Sequence, residues 1–413
     1  MEVVPPRRRT ALDPGSAATP QNKLTIGAIM LYLVAMSYSF EMGPIRPPSE
    51  AMSLLLRVTR NCPWNKCAFC HTYRDETFSR RAAEEVKGDI DSMRAIAARL
   101  ADVMGGGDAT RLSERDVIRG AMGLDDTPEQ YYRQVLFWMY HGMKSAFLQD
   151  ANSLVLPAAE LADIIRHLKS AFPSLERITS YARAKTVSKK SLDDMKLLRG
   201  AGLTRLHFGM ESGCDEVLEF VKKGVTSAEQ VDAGRKAMEA GFDLSEYYMP
   251  GLGGTALWER NARDTARVIN AVNPTFVRIR STVPLPGTPL GDAMARGEWA
   301  PLSEEGKVRE LRLFIEELGG ISSRVVSDHM MNLLEEVEGT FPDDKPRMLH
   351  AIDRFLAMET ENREQFTIGR RLGYFRSVAE FRPTAELAAL RERLIAEFGS
   401  MDAGILEILK NYI

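Results

Sequence analysis

Three of the chain's four cysteines, Cys62, Cys67 and Cys70, fall within nine residues of one another in RVTRNCPWNKCAFCHTY (57–73). That span is too tight for a disulfide scaffold, and one thiol would be left over. Thiolates are soft ligands, so the spacing C-x4-C-x2-C points to a metal or iron–sulfur site in a reducing compartment. Three thiolates on one loop can hold three irons of a cubane cluster and leave the fourth iron open to a ligand. A structural zinc, the alternative, would need a fourth ligand, for which His71 is the local candidate. That alternative describes a zinc-stabilised, membrane-tethered binding protein without catalysis.

The elements that must position this loop follow from hydrophobic pattern. SLLLRVT (53–59) reads as a strand leading into it, with a helix near 81–104 behind it. Strands follow at 145–150, 177–182, 204–210, 243–249 and 275–281, alternating with helices near 158–171 and 188–200, through about 240, and near 257–272. The stretch 105–128 reads as an insertion. Six β–α units in this order predict a parallel sheet with helical crossovers. In these strands Leu54, Leu56 and Val58, or Leu206, Phe208 and Met210, alternate with a second face carrying Arg57, His207, Glu211, Arg278 or Arg280. A doubly wound sheet would be apolar on both faces. A partial (β/α)6 TIM-like barrel with a polar lumen fits better, with its site at the carboxyl ends of the strands. Solvated edge strands are the competing explanation. After about residue 300 the strand signal ceases, and 301–413 is expected to be a helical extension covering the barrel of residues 42–300.

Composition bounds the rest. With 44% hydrophobic and 27% charged residues, the 413-residue chain is neither disordered nor fibrous. A net charge of −3 argues against general nucleic-acid binding. Residues 1–41 read as a disordered or dispensable leader. Its uncharged run Leu24–Phe40 follows Arg7–Arg9 and Lys23 as a signal anchor would, but lies at the lower length limit for a bilayer span.

The cysteine loop, with Phe69 before the last cysteine, resembles that of the radical S-adenosylmethionine (SAM) superfamily, whose usual spacing is C-x3-C-x2-C. The wider stretch 43–81 resembles a subgroup near the elongator-type and methylthiotransferase-type radical SAM domains, and the resemblance extends over about 43–375. It implies a cytoplasmic enzyme that holds a [4Fe–4S] cluster on Cys62, Cys67 and Cys70 and cleaves SAM reductively to a 5′-deoxyadenosyl radical. An external flavodoxin or ferredoxin would supply the electron.

The resemblance also implies SAM contacts. QDANS (149–153) stands where the superfamily often has GGE, which nominates Asp150 and Asn152, although the glycines and the glutamate are absent. Arg183 of SYAR is placed to pair with the methionyl carboxylate. MESG (210–213) resembles the segment that contacts SAM, nominating Glu211 and Ser212. PGLGG (250–254) nominates Gly253, and PLPGTPL (284–290) resembles the closing loop near the adenosine. His207, Arg278 and Arg280 share the inward face by alternation, and the two arginines favour an anionic group on SAM or substrate. Cys214, at a helix start, reads as packing. One spare cysteine is too few for the second cluster of a methylthiotransferase, and no cobalamin signature D-x-H-x-x-G occurs. In the tail, Asp328, His329 and Asn332 on a helical turn, and Arg370 and Arg371, are expected at the barrel mouth.

Overall fold

A computed structural model describes residues 37–105, 112–123 and 125–410. Besides a short antiparallel pair of Thr59–Arg60 with Ser79–Arg80, the strands are β1 (Leu54–Arg57), β2 (Ser145–Gln149), β3 (Arg177–Ala182), β4 (Arg205–Glu211), β5 (Asp243–Tyr248), β6 (Phe276–Ile279), β7 (Arg324–Val326) and β8 (Gly339–Thr340). They pair in that order in one sheet, parallel from β1 to β7 and antiparallel between β7 and β8. This is a partial barrel, with β1 and β8 at its two edges. Helices α1 (Ala83–Gly105), α2 (Glu114–Met122) and α3 (Glu129–Tyr140) cross from β1 to β2. Next come α4 (Ala158–Ala171), α5 (Ala184–Ser188), α6 (Leu192–Ala201), α7 (Asp215–Phe220), α8 (Ser227–Glu239) and α9 (Gly254–Val272). Helices α10 (Pro289–Ala295), α11 (Glu304–Glu317), α12 (Lys345–Leu356), α13 (Thr360–Arg371), α14 (Ala385–Phe398) and α15 (Met401–Lys410) follow.

Alternation explains the layering. Leu54, Leu56, Leu206, Phe208, Val277 and Ile279 all join the core between sheet and helices. Each buried Leu or Phe there contributes roughly 1.5–3 kcal/mol. The opposite face builds a lumen of rings, Phe147, Tyr181, His207 and Tyr247, with centroids 5.0–6.5 Å apart. Helix starts are local sequence decisions. Ser191 with Asp194, and Thr226 with Glu229, form reciprocal capping boxes at α6 and α8.

Three expectations change. The tail does not abandon the sheet, because β7 pairs with β6 through Arg324, Val325 and Val326, and β8 follows it. A three-residue strand leaves almost no periodic signal, and its pairing depends on the neighbour it meets. Within the supposed insertion at 105–128, Glu114–Met122 is a helix packed on α1, with Val117 and Ile118 buried in the main core. Near 188–200 there are two helices, α5 and α6, in place of one.

Of the leader, residues 1–36, which include most of the apolar run, lie outside the described residues. The described end is tied to the barrel. Phe40 is buried against Tyr131. Glu41 pairs with Arg57 at 2.7 Å, Arg60 at 2.7 Å and Arg81 at 3.3 Å. No helix among the described residues is long and apolar enough to cross a membrane.

Candidate cofactor site at the barrel mouth

The loop after β1 passes through two left-handed residues, Asn61 (φ 65°) and Asn65 (φ 46°). Asparagine tolerates that conformation better than most side chains. Asn65 then stitches the loop shut: its amide NH₂ donates to the Tyr73 carbonyl, and its backbone N–H donates to Cys62 Sγ at 3.4 Å. Cys62, Cys67 and Cys70 are free and half-buried, whereas Cys214 is buried. Burial pushes the Cys67 thiol up, against the pull of Lys223 and Arg183. Among the described residues, no three His, Cys, Asp or Glu side chains converge as a single metal ion requires. Three thiols on one short loop are the donor set of a multi-iron cluster, which takes one thiolate per iron. The residues present fit that group.

The loop is held from below by Asp150. Its fully buried carboxylate accepts from Arg57 Nη2 at 2.6 Å, Arg57 Nε at 2.9 Å and the Asn61 backbone N–H at 2.9 Å. All three bonds fall on Oδ2, two of them charge-assisted from one guanidinium, while Oδ1 has no hydrogen-bond partner among the described residues. Asp150 therefore anchors the start of the cysteine loop. Asn152 is likewise committed: its NH₂ donates to Thr186 Oγ1 at 2.8 Å, and its carbonyl accepts from the Arg183 N–H at 3.3 Å. Both side chains are thus engaged within the fold.

On the other side of the loop, Arg183 donates to the Lys223 carbonyl at 2.6 Å and lies 4.9 Å from the Trp64 ring. Glu211, at φ 67°, ends β4 in backbone that a non-glycine residue rarely adopts, and pairs with Lys223 Nζ at 3.0 Å. Burial works against the charge of Lys223, but Glu211 and the Cys67 sulfur outweigh it and raise its pKa. Lys223 also lies 5.7 Å from the Phe69 ring. Lys223 was invisible in sequence because it follows α7 as an ordinary polar residue. Its burial depends on how α7 docks.

Ser212 is buried in the turn after β4, donating to Asn261 Oδ1 at 2.5 Å and accepting the Cys214 N–H at 2.9 Å. Its neighbour Gly213 is obligatory, because a Cβ there would come within 2.6 Å of the Asp264 carbonyl oxygen. Gly253 opens α9, where a Cβ would meet Leu257 backbone at 3.0 Å. The glycine turn is gripped from the tail: buried Glu310 accepts from Tyr248 OH at 2.7 Å, the Gly251 N–H at 2.8 Å and Asn261 NH₂ at 2.7 Å. Burial raises Glu310 to about 7 against these three donors.

His207 sits deeper than the alternation suggested. It is fully buried among the rings, its Nε2 3.7 Å from Glu50. Glu50 plugs the barrel floor, accepting from Ser53 Oγ at 2.5 Å, Thr179 Oγ1 at 3.0 Å and Arg177 at 3.2 Å. Alternation gives the face but not the depth, and residue 207 lies four positions before the mouth. Arg278 is also spoken for, donating to Asp328 at 2.8 Å and Ser245 Oγ at 3.1 Å.

Arg280 remains at the mouth. It lines a cavity of about 240 Å³ with Phe69, Cys70, His71 and Met249, and with His329 from the tail. Burial lowers His329 to about 4, helped by Arg280, so its ring is neutral at physiological pH. The segment 327–332 is an irregular loop instead of the expected helical turn. Asn332 fixes it to the end of β6, accepting from the Ser281 N–H at 2.9 Å and donating to the Ile279 carbonyl at 2.8 Å. Arg371 pins it from behind through the carbonyls of Met330 and Met331, both at 3.2 Å, and reaches Glu304. Arg370 pairs with Glu335.

Residues 56–262 match the family described as the radical SAM superfamily. Among curated proteins, a tRNA uridine(34) acetyltransferase of Methanocaldococcus jannaschii is 24% identical over 63% of this chain and 48% of its own length. A tRNA-2-methylthio-N(6)-dimethylallyladenosine synthase of Alkalilimnicola ehrlichii is 31% identical over 32% of this chain and 28% of its own. The chain thus spans about half the length of the acetyltransferase. Among solved structures, an archaeal Elp3 from Methanocaldococcus infernus has 16% identity and a TM-score of 0.39 over 48% of this chain and 52% of its own. The radical SAM enzyme coproporphyrinogen III oxidase (HemN) from Escherichia coli has 12% identity and a TM-score of 0.36 over 93% of this chain and 99% of its own.

Proposed function

Since the chain belongs to the radical SAM superfamily, whose members use a [4Fe–4S] cluster and SAM, we propose that Cys62, Cys67 and Cys70 hold that cluster and that the adjoining mouth cavity receives SAM and a substrate. When bound, cluster and SAM together supply reductive cleavage and a radical that removes hydrogen from the substrate. The observation that carries this reading is the opening of the cysteine loop, through Phe69 and Cys70, into the same cavity as the exposed cation Arg280. The chain's own residues bind and shield. Arg280 takes an anionic group, either the SAM carboxylate or one of the substrate's. Glu211, held by Lys223 in its strained turn, accepts hydrogen bonds from the cofactor. The tail loop around His329 covers the mouth and limits the water reaching it. His329 is neutral there, so it can donate and accept without repelling Arg280. Residues 301–413 thereby serve as part of the site, working in the cytoplasm with a low-potential electron donor.

Anaerobic reconstitution followed by chemical reduction tests the proposal. About four irons per chain and conversion of SAM to 5′-deoxyadenosine are expected. Substituting any of the three cysteines by Ala should abolish both, whereas Cys214→Ala should keep the iron. One stoichiometric zinc in protein purified anaerobically would overturn it.

A further inference from the structure

A second, more open cavity lies away from the mouth. An open groove of about 1160 Å³ runs along the outer side of the cysteine loop, and none of its lining residues is shared with the mouth cavity. Six cationic and three anionic side chains line it. Of the anions, Glu229 is already paired with Lys185, and Asp215 accepts from Ser227. Lys66, Lys189 and Lys222 are exposed. The whole chain carries a net charge of −3, so this positive excess is local.

The groove wall is joined to the cysteine loop through Trp64, which stands between Cys62 and Cys67. Its indole N–H donates to the Lys222 carbonyl at 2.7 Å, and its ring lies 4.9 Å from Arg183 and 5.1 Å from Lys66. Gly224 makes room for that ring, since a Cβ there would come within 2.3 Å of it. Trp64 is therefore packed into place, and an occupant of the groove rests on the outer wall of the cluster loop.

We propose that this groove is the docking surface for an acidic, low-potential one-electron donor protein, seated by Lys66, Lys189 and Lys222 against Trp64. The inference rests on the cluster assignment above. Three observations favour such a partner. The field is positive and open, which steers an acidic protein by charge. The contact falls on the loop that would carry the redox centre, and electron transfer weakens steeply with distance. The groove also leaves the mouth free, so donor and substrate can be bound together. An RNA chain whose base must reach the barrel would need the mouth, which this groove does not share. The transfer balances as one electron leaving the donor, a flavin hydroquinone becoming a semiquinone, and one electron entering the oxidised cluster.

The test uses the full chain with its cluster reconstituted, reduced anaerobically in a stopped-flow cell by an acidic flavodoxin in its hydroquinone form. Cluster absorbance and the electron paramagnetic resonance signal are the readouts. Lys189→Glu combined with Lys222→Glu should slow second-order reduction at least about tenfold at low ionic strength, and flatten the decline with salt that the unaltered protein shows. Reduction by dithionite, which needs no docking surface, should keep its rate in both proteins. Equal flavodoxin rates in the two proteins, with dithionite reduction intact, would overturn the docking proposal alone. So would a loss of tRNA binding in the variant with the flavodoxin rate unchanged. Absence of any dithionite-reducible cluster would overturn both this inference and the reading beneath it.

Discussion

Glu304→Gln should detach the tail loop from the mouth at a cost that can be worked from the structure. Glu304 opens α11, 7% exposed, and meets Arg371 and Lys307, the latter at 2.9 Å. Burial alone would raise its carboxyl, but Arg371 and Lys307 more than reverse this and bring it down to about 2. A carboxyl held near 2 in place of 4.5 contributes about 3 kcal/mol at neutral pH. Breaking a buried ion pair by removing one partner costs about 3–5 kcal/mol. Arg371 keeps three backbone carbonyls, at 3.2–3.5 Å, so the lower figure applies. The sign is that of a depressed acid. Its stabilisation is complete above about pH 4.5 and is lost as pH falls toward 2. Urea unfolding followed by circular dichroism should show the variant less stable by about 3 kcal/mol at pH 7 and by about 2 kcal/mol at pH 3.5. Arg371→Met should cost a similar amount, and the double variant less than the two together. A difference under about 1 kcal/mol at pH 7, or one that grows as pH falls, would refute the reasoning.

Arg280→Ala and Glu211→Ala should each weaken SAM binding by about 1.5–3 kcal/mol with iron content retained, as read by anaerobic calorimetry. Unchanged affinity in both would remove these residues from the site. Gly213→Ala forces a Cβ onto α9 backbone and should destabilise by about 2 kcal/mol, visible as a lowered thermal midpoint; an unchanged midpoint would mean that the turn has slack. Truncation after residue 302 strips β7 from β6 and Glu310 from the glycine turn, so the shortened chain should aggregate on expression. A soluble, cluster-binding fragment would show that the barrel folds without its tail. A chain beginning at Met42 loses the three ion pairs of Glu41 and should be less stable than one beginning at residue 37 in the same urea titration.

What the sequence determined by itself was local or periodic. Cysteine spacing is covalent, so the candidate ligand set of Cys62, Cys67 and Cys70 needed no fold to be seen. Strand alternation has period two, so the parallel strands β1 to β6 were legible to within a residue or two, with the faces of Leu56 and His207. The left-handed asparagines and the capping residues act within a few positions of themselves. Depth, pairing and partnership were decided only by tertiary structure. Asp150 and Arg278 look alike in sequence as inward charges beside a mouth, yet each is consumed by a salt bridge to a residue 93 or 50 positions away. Lys223 and Glu310 carry no pattern at all, and they matter because α7 and α11 bury them beside groups of opposite need. His329 reaches the mouth through Asn332 and Arg371, contacts whose sequence separation no window along the chain can register. A side chain's type sets what chemistry it can do. The fold sets which partner arrives first, and a charge already satisfied by a buried partner is no longer available to a ligand.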